Sequence, residues 1–480
     1  MNDLLQNLVD GARPHADYTD ARHVHTRTES IDTRNGGVDR VGHGEAEGIG
    51  IRVRIGGAWG FAATRGTDQA AAEQALRRAV TIARAQPAAP PTDLAPVPPA
   101  RGEHRAPEAG TDPFTVSLEE KLDILMAADA AIAVEPAVRV RTGHFHAQVE
   151  RRTFASTEGA SCEQTFTECG GGISATAVEG DEAQIRSYPS AHGGDVAQAG
   201  WEHFVALELP ERAAAIADEA AALLKAPACP ARDGATLILD SEQLALQLHE
   251  SVGHAVELDR VLGGEASYAG TSWVTPADLN ELRYGSELMT VTADATVPGG
   301  LGSYAWDDEG APAAATPIVA QGVLRGFLTS RETAALIGLD RSGACMRASG
   351  FDRQPIVRMT NVSIAPGQAG TLADLIADTD DGILMETNRS WSIDQRRWQF
   401  QFATELAWEI KGGERRRMLR NPSYAGITPE FWGSLDAVCS AADWRLHGLL
   451  NCGKGEPGQL AHVSHGAAPA RFRGVRVGIA

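Results

Sequence analysis

"LALQLHESVGHAVELD", residues 244–259, decides how this chain is read. It spells His-Glu-x-x-x-His, with His249 and His254 five residues apart, whereas the zinc-protease helix His-Glu-x-x-His sets its histidines four apart. In a regular α-helix, residues five apart differ by about 500°, or roughly 140° around the axis. The two imidazoles would then face different sides and could not share an ion. A π-bulge inserts one residue and returns positions i and i+5 to nearly the same face. Gly253, just before His254, is the residue type that costs least in a distorted turn. The spacing therefore predicts a helix with a local widening and leaves a metal site open. Leu244, Leu248, Val252 and Val256 recur every fourth residue and give that helix one apolar face.

Working outward, "GATLILD" (234–240) reads as a short apolar strand, and Asp240 or Ser241 supplies the helix N-cap. Gly263-Gly264 ends the helix. Many short strands with Gly, Asp and Asn turns follow, with one further helix at "SRETAALIG" (330–338). Before residue 230 the pattern is more mixed. Residues 20–65 alternate as strands joined by glycine turns, and 68–86, 118–133 and 210–226 read as helices. Residues 137–188 read as a meander of short strands, and 87–113 is a Pro/Ala-rich extended connection too poor in large apolar residues to be core. The expected fold class is α+β. An N-terminal mixed α/β domain (1–230) precedes a β-rich C-terminal domain (231–480) with the metal-binding helix at its centre.

Composition excludes several functions. With 43 basic and 63 acidic residues the net charge is -20, which disfavours binding to nucleic acid, where Lys/Arg clusters must displace counterions. The one basic run, "GGERRRMLR" (412–420), reads as a solvated turn. The six cysteines are scattered, with no Cys-x-x-Cys pair, so reduced thiols in a cytoplasmic protein are expected. We expect no signal peptide and no membrane span.

Two imidazoles do not make a catalytic zinc site, which needs three protein ligands and an open position for water. Glu250, beside the first histidine, is better kept as general base. Glu257, Asp259, His462, His465 and Cys452 are all candidates for the third ligand, and spacing does not choose among them. Elsewhere, "DDEG" (307–310) reads as a solvated turn or a holder of cationic groups. Arg358 reads as a carboxylate binder or a strand-bridging arginine, and His465 as a transition-state donor or a surface histidine. "GGAWGF" (56–61) reads as close strand packing.

These segments, taken in order, resemble the TldD/PmbA family of zinc metallopeptidases, on its TldD side. "HESVGHAVE" is similar to the family's metal helix and "NCGKGEPGQ" to its C-terminal Cys-Gly-Lys segment. "GIGIRVRIGGAWGFAAT", "LGSYAWDDEGAPA", "GVLRGFLTSRETA", "PIVRMTN" and "SHGAAPARFRGVRV" fall in the family's order. The match is looser at 343–354 and 385–400. The resemblance implies one Zn2+ per chain held by His249, His254 and Cys452, with Glu250 as catalytic base. It also implies a chamber shared with a TldE/PmbA-like paralogue or a second copy of the chain, in which unfolded or leader-type peptides are cut. Two other readings stand beside it: a zinc amidase or natural-product tailoring hydrolase acting on a small amide, and a non-catalytic partner subunit.

Overall fold

The structure, a computed structural model, describes residues 1–87 and 92–478. The chain is α+β throughout. A helix, α1 (Asn2–Ala12), leads into three antiparallel strands, β1 (Tyr18–Arg34), β2 (Gly37–Ile55) and β3 (Ala58–Thr64). Helix α2 (Gln69–Ala85) begins at Asp68, whose carboxylate accepts from the Ala71 N–H at 2.9 Å. Leu5, Leu8 and Val9 of α1 and Ala72, Ala75 and Ala79 of α2 bury their apolar faces with Ile49, Ile51 and Val53 of β2. Gly60 carries out the close packing expected of "GGAWGF": a Cβ there would lie 2.0 Å from the Ala79 carbonyl oxygen of α2.

The stretch 87–113 is more than a connection. Its residues 88–91 lie outside the described ones, but Arg101–Ala106 forms β4, parallel to and at the edge of the same sheet. Helix α3 (Leu118–Ile132) starts in a capping box between Ser117 and Glu120. The expected meander is present, but its first two strands are long: β5 (Val138–Ser156), β6 (Ser161–Glu179) and β7 (Glu182–Tyr188). A short β8 (Asp195–Ala197) and α4 (Trp201–Ala206) precede α5 (Leu209–Lys225). Leu125 and Ile132 of α3, Ile216 of α5, Phe145 of β5 and Ile173 of β6 form a second core. The eight strands make one sheet, ordered β3-β2-β1-β5-β6-β4, with β7 and β8 also on β6.

The remainder builds on β9 (Arg232–Leu239), a central strand of a seven-stranded sheet. Strand Asp381–Ile393 pairs both with β9 and with Gln399–Lys411, so five strands close into a ring. The basic run expected to be a solvated turn is in fact a strand, Glu414–Leu419, exposed at the edge of this sheet. Besides the expected helix, here Arg331–Leu336, short helices that the sequence reading did not single out occur at Leu258–Val261, Leu372–Ala377 and Thr428–Gly433.

The "DDEG" turn is not solvated, nor free to hold a foreign cation. Asp308 is 1 % exposed and receives Arg22 of β1 and Arg152 of β5, each at 2.9 Å. Glu309 receives Arg52 of β2 at 3.3 Å and the Arg331 N–H at 2.8 Å. Burial alone would raise the Asp308 carboxyl; Arg152 and Arg22 outweigh it and hold it below its ordinary value.

Candidate metal centre

The metal helix is three kinds of helix in succession. Asp240 caps it, one oxygen accepting from the Gln243 N–H at 2.7 Å. Regular α-helix, α6, runs Ser241–Leu248; a π turn follows over His249–Gly253, and a 3₁₀ turn over His254–Val256. The His254 N–H donates to the His249 carbonyl, the i→i−5 bond that the spacing calls for. The widened turn leaves carbonyls to be satisfied from outside the helix. The Tyr284 hydroxyl donates to Ser251 O at 2.6 Å and the Ser272 hydroxyl to Ala255 O at 2.7 Å. The reason for glycine at 253 differs from expectation. Its φ and ψ of -50° and -59° are ordinary helical values. A Cβ there would lie 2.1 Å from Met359 Sδ, so the neighbour excludes a side chain.

Cys452 arrives on strand Arg445–Lys454, paired with Gln459–Ala467. His447 faces His465, and Leu449 faces Val463; one extra residue then intervenes, so that Cys452 faces Ala461. Without that bulge, Cys452, five residues beyond His447, would point to the opposite face of the hairpin. The bulge returns it to the face of His465, toward the helix.

Hydrogen bonds fix which nitrogen of each histidine is free. Val362 O can only accept, so His465 donates to it from Nδ1 at 2.8 Å. His465 Nε2 therefore accepts from His249 Nδ1, 2.7 Å away, which leaves the lone pair of His249 on Nε2. His254 Nδ1 donates to Glu257 at 2.9 Å, leaving its lone pair on Nε2, 3.8 Å from Cys452 Sγ. Ligand atoms from His249, His254 and Cys452 lie within 4.8 Å of one another. Burial pushes His249 down to about 4 and His254 well below its ordinary value, so both imidazoles are neutral at pH 7. Burial alone would raise the Cys452 thiol, but Arg358 and His254 outweigh it and lower its pKa. Neutral imidazoles and an acidified thiol are the donor forms that a transition metal requires, so the residues fit a metal ion.

A cavity of about 240 Å³ opens on these three side chains and is also lined by Glu250, Arg397, Trp391 and Asn451. Arg397 Nη1 donates to Glu250 Oε2 at 2.5 Å. The other candidates lie elsewhere. Glu257 is behind His254, and Asp259 binds the buried Lys454 ammonium at 2.7 Å. His462 binds Glu168 at 2.6 Å in a different cavity. His465 is 2 % exposed, with both ring nitrogens used inside the protein, and so has none left for substrate. Arg358 is the bridging arginine of the two readings: it donates to the carbonyls of Cys452 and Gln459 and does not line the metal cavity. Arg397 was not foreseen. It sits at φ 64° in the turn between strands Asp381–Ile393 and Gln399–Lys411, and nothing in "DQRRWQ" separates it from its neighbour Arg396.

An α+β chain with two imidazoles and a thiol converging beside a buried carboxylate has the outline of a metal-dependent hydrolase. Residues 19–83, 111–226 and 233–478 match, in turn, domain 1, the central domain and the C-terminal domain of the PmbA/TldA metallopeptidases. The chain belongs to this TldD/PmbA family. A protein named metalloprotease from Methanothermobacter thermautotrophicus is 30% identical over 481 residues, which cover 99% of this chain and 98% of that protein. A metalloprotease TldD homolog from Buchnera aphidicola is 30% identical over 243 residues, 50% of this chain and 47% of that protein. The crystal structure of TldE from Thermococcus kodakarensis superposes with a TM-score of 0.73 at 16% identity, over 98% of this chain and 99% of that one, and so shares the fold.

Proposed function

We propose that the chain is a zinc-dependent peptidase, with one Zn2+ held by His249, His254 and Cys452 and with Glu250 as general base. The observation that carries this reading is the convergence of the three donor atoms in the cavity that Glu250 also lines. Two imidazole nitrogens and a thiolate sulfur would suit zinc. Bound zinc supplies Lewis acidity toward the scissile carbonyl and the attacking water. Glu250 takes the water's proton and passes it to the leaving amine, while Arg397 holds Oε2 and orients the carboxylate. The catalytic unit would be residues 231–480, packed on the unit formed by 1–230.

Membership of the family supports a partner, either a TldE/PmbA-like paralogue or a second copy, with unfolded or leader-type peptides cut in the chamber between them. A second reading, a hydrolase of small amides, is favoured by the size of the cavity, which is below the ~300–1,000 Å³ usual for ligand pockets. The test measures zinc per chain in wild type, His254→Ala and Cys452→Ala, and cleavage of unstructured peptides and small amides by wild type and Glu250→Gln. The peptidase reading expects about one zinc per chain, lost in both ligand variants, and peptide cleavage lost in Glu250→Gln with its zinc kept. Wild type that takes up no zinc after reconstitution would refute it, and cleavage of small amides alone would favour the second reading.

A further inference from the structure

A second cavity, of about 770 Å³, lies between β5 and β6 of the N-terminal sheet and the hairpin 445–467. Its size is in the range of ligand pockets, and its charged lining is almost entirely paired. Glu150 receives Arg152 at 2.5 Å, Arg152 also reaches Asp308, and Glu168 holds His462. Lys454 is shared by Glu257, Asp259 and Glu265, and Arg353 binds Asp352.

Arg347 is the exception. Among the described residues it has no carboxylate within 4.0 Å; its guanidinium donates only to the carbonyls of Met359 and Leu301, at 3.0 and 3.3 Å. Burial lowers its pKa, and Arg152 and Arg358 lower it further, against the opposing pull of Tyr304 and the more distant Asp308. A part-buried guanidinium that lines an open cavity with no carboxylate in contact can take an anion from the cavity side. Guanidinium offers the planar fork that carboxylates accept. The cavity also carries apolar surface without a partner: Tyr268 is 58% and Leu460 56% exposed on its wall.

We propose that this cavity is a second ligand site, in which Arg347 binds the C-terminal carboxylate of a peptide and Tyr268 and Leu460 cover the side chains next to it. Gly453 lines both this cavity and the metal cavity, so the two are separated by a single strand. That the ligand is a peptide rests on the peptidase reading; recognition of a carboxylate does not.

The test is fluorescence anisotropy on the full chain, using a labelled unstructured pentapeptide with a free C-terminus and the same peptide amidated. The free acid should bind about 10- to 100-fold more tightly, and the preference should persist after chelation of metal. Arg347→Gln should equalise the two peptides, Arg347→Lys should keep part of the preference, and Leu460→Trp should weaken both by filling the cavity. Equal binding of acid and amide to wild type would overturn the proposal, as would a preference kept in Arg347→Gln. A preference lost on chelation would move the carboxylate to the metal and also overturn it. A preference that persists in a wild-type chain that takes up no zinc after reconstitution would leave this site standing while the peptidase reading fails.

Discussion

Replacing His465 separates metal affinity from metal ligation. This side chain is not one of the three proposed ligands. It holds His249 Nδ1 at 2.7 Å and is itself held by Val362 O at 2.8 Å, so it sets the tautomer that presents His249 Nε2. Removing such an outer partner costs metal sites 10- to 100-fold in affinity, or about 1.4 to 2.8 kcal/mol. His465→Ala adds a separate loss, because Val362 O is left buried without a donor, at about 1–3 kcal/mol of folding stability. His465→Gln offers an amide N–H to that carbonyl and isolates the effect on the metal. The assay is competition for zinc against a chromophoric chelator, with urea denaturation of the metal-free proteins run alongside. Both variants should bind zinc 10- to 100-fold more weakly, with His465→Gln nearer wild type in metal-free stability. Unchanged zinc affinity in both, on folded protein, would show that the tautomer relay has no part in holding the metal.

Three further outcomes follow from the packing and the charges. Gly253→Ala forces a Cβ against Met359, which overpacks by about 1–3 kcal/mol; a double-mutant cycle with Met359→Ala should recover part of that loss, and full additivity would deny the contact. Lys454→Met leaves Glu257, Glu265 and Asp259 without their shared cation and should destabilise by about 3–5 kcal/mol in chemical denaturation; a loss below about 1 kcal/mol would place those carboxylates in solvent. Burial holds His146 down at about 4, below its unfolded value of ~6.5. Between those two values the unfolded chain takes up a proton that the folded one refuses, so stability falls as pH falls, by up to about 1.4 kcal/mol per unit. His146→Gln should flatten the stability profile of the metal-free protein between pH 6.5 and 4; an identical slope would mean that His146 is protonated in the fold.

Much of the site could be read from one feature, the mismatch between a five-residue spacing and a 3.6-residue turn, which is a local property of the helix. The apolar face formed by Leu244, Leu248, Val252 and Val256 was legible for the same reason, and all four are fully buried. What escaped depends on neighbours distant in sequence. Met359 excludes a side chain at 253, and a hairpin bulge aims Cys452. Arg397 depends on a positive φ in a turn, and His465 has no sequence signal that sets it behind His249. The acidic turn at 307–310 misled because local composition suggests solvent, whereas its counterions come from strands more than 150 residues earlier. The strands at 101–106 and 414–419 were missed because edge strands can be polar and need no apolar alternation.

Arg22 carries a consequence for the order in which the molecule is completed. It lies in β1, is 3 % exposed, and its partners are Asp308 and the carbonyls of Gly350 and Arg353. A chain growing from its N-terminus therefore makes this arginine hundreds of residues before it makes any of those partners. Until then, burying the guanidinium would strand a charge in a low-dielectric interior. The sheet that leaves the ribosome first is thus finished late, and a nascent chain stalled before residue 308 should leave β1 open to proteolysis.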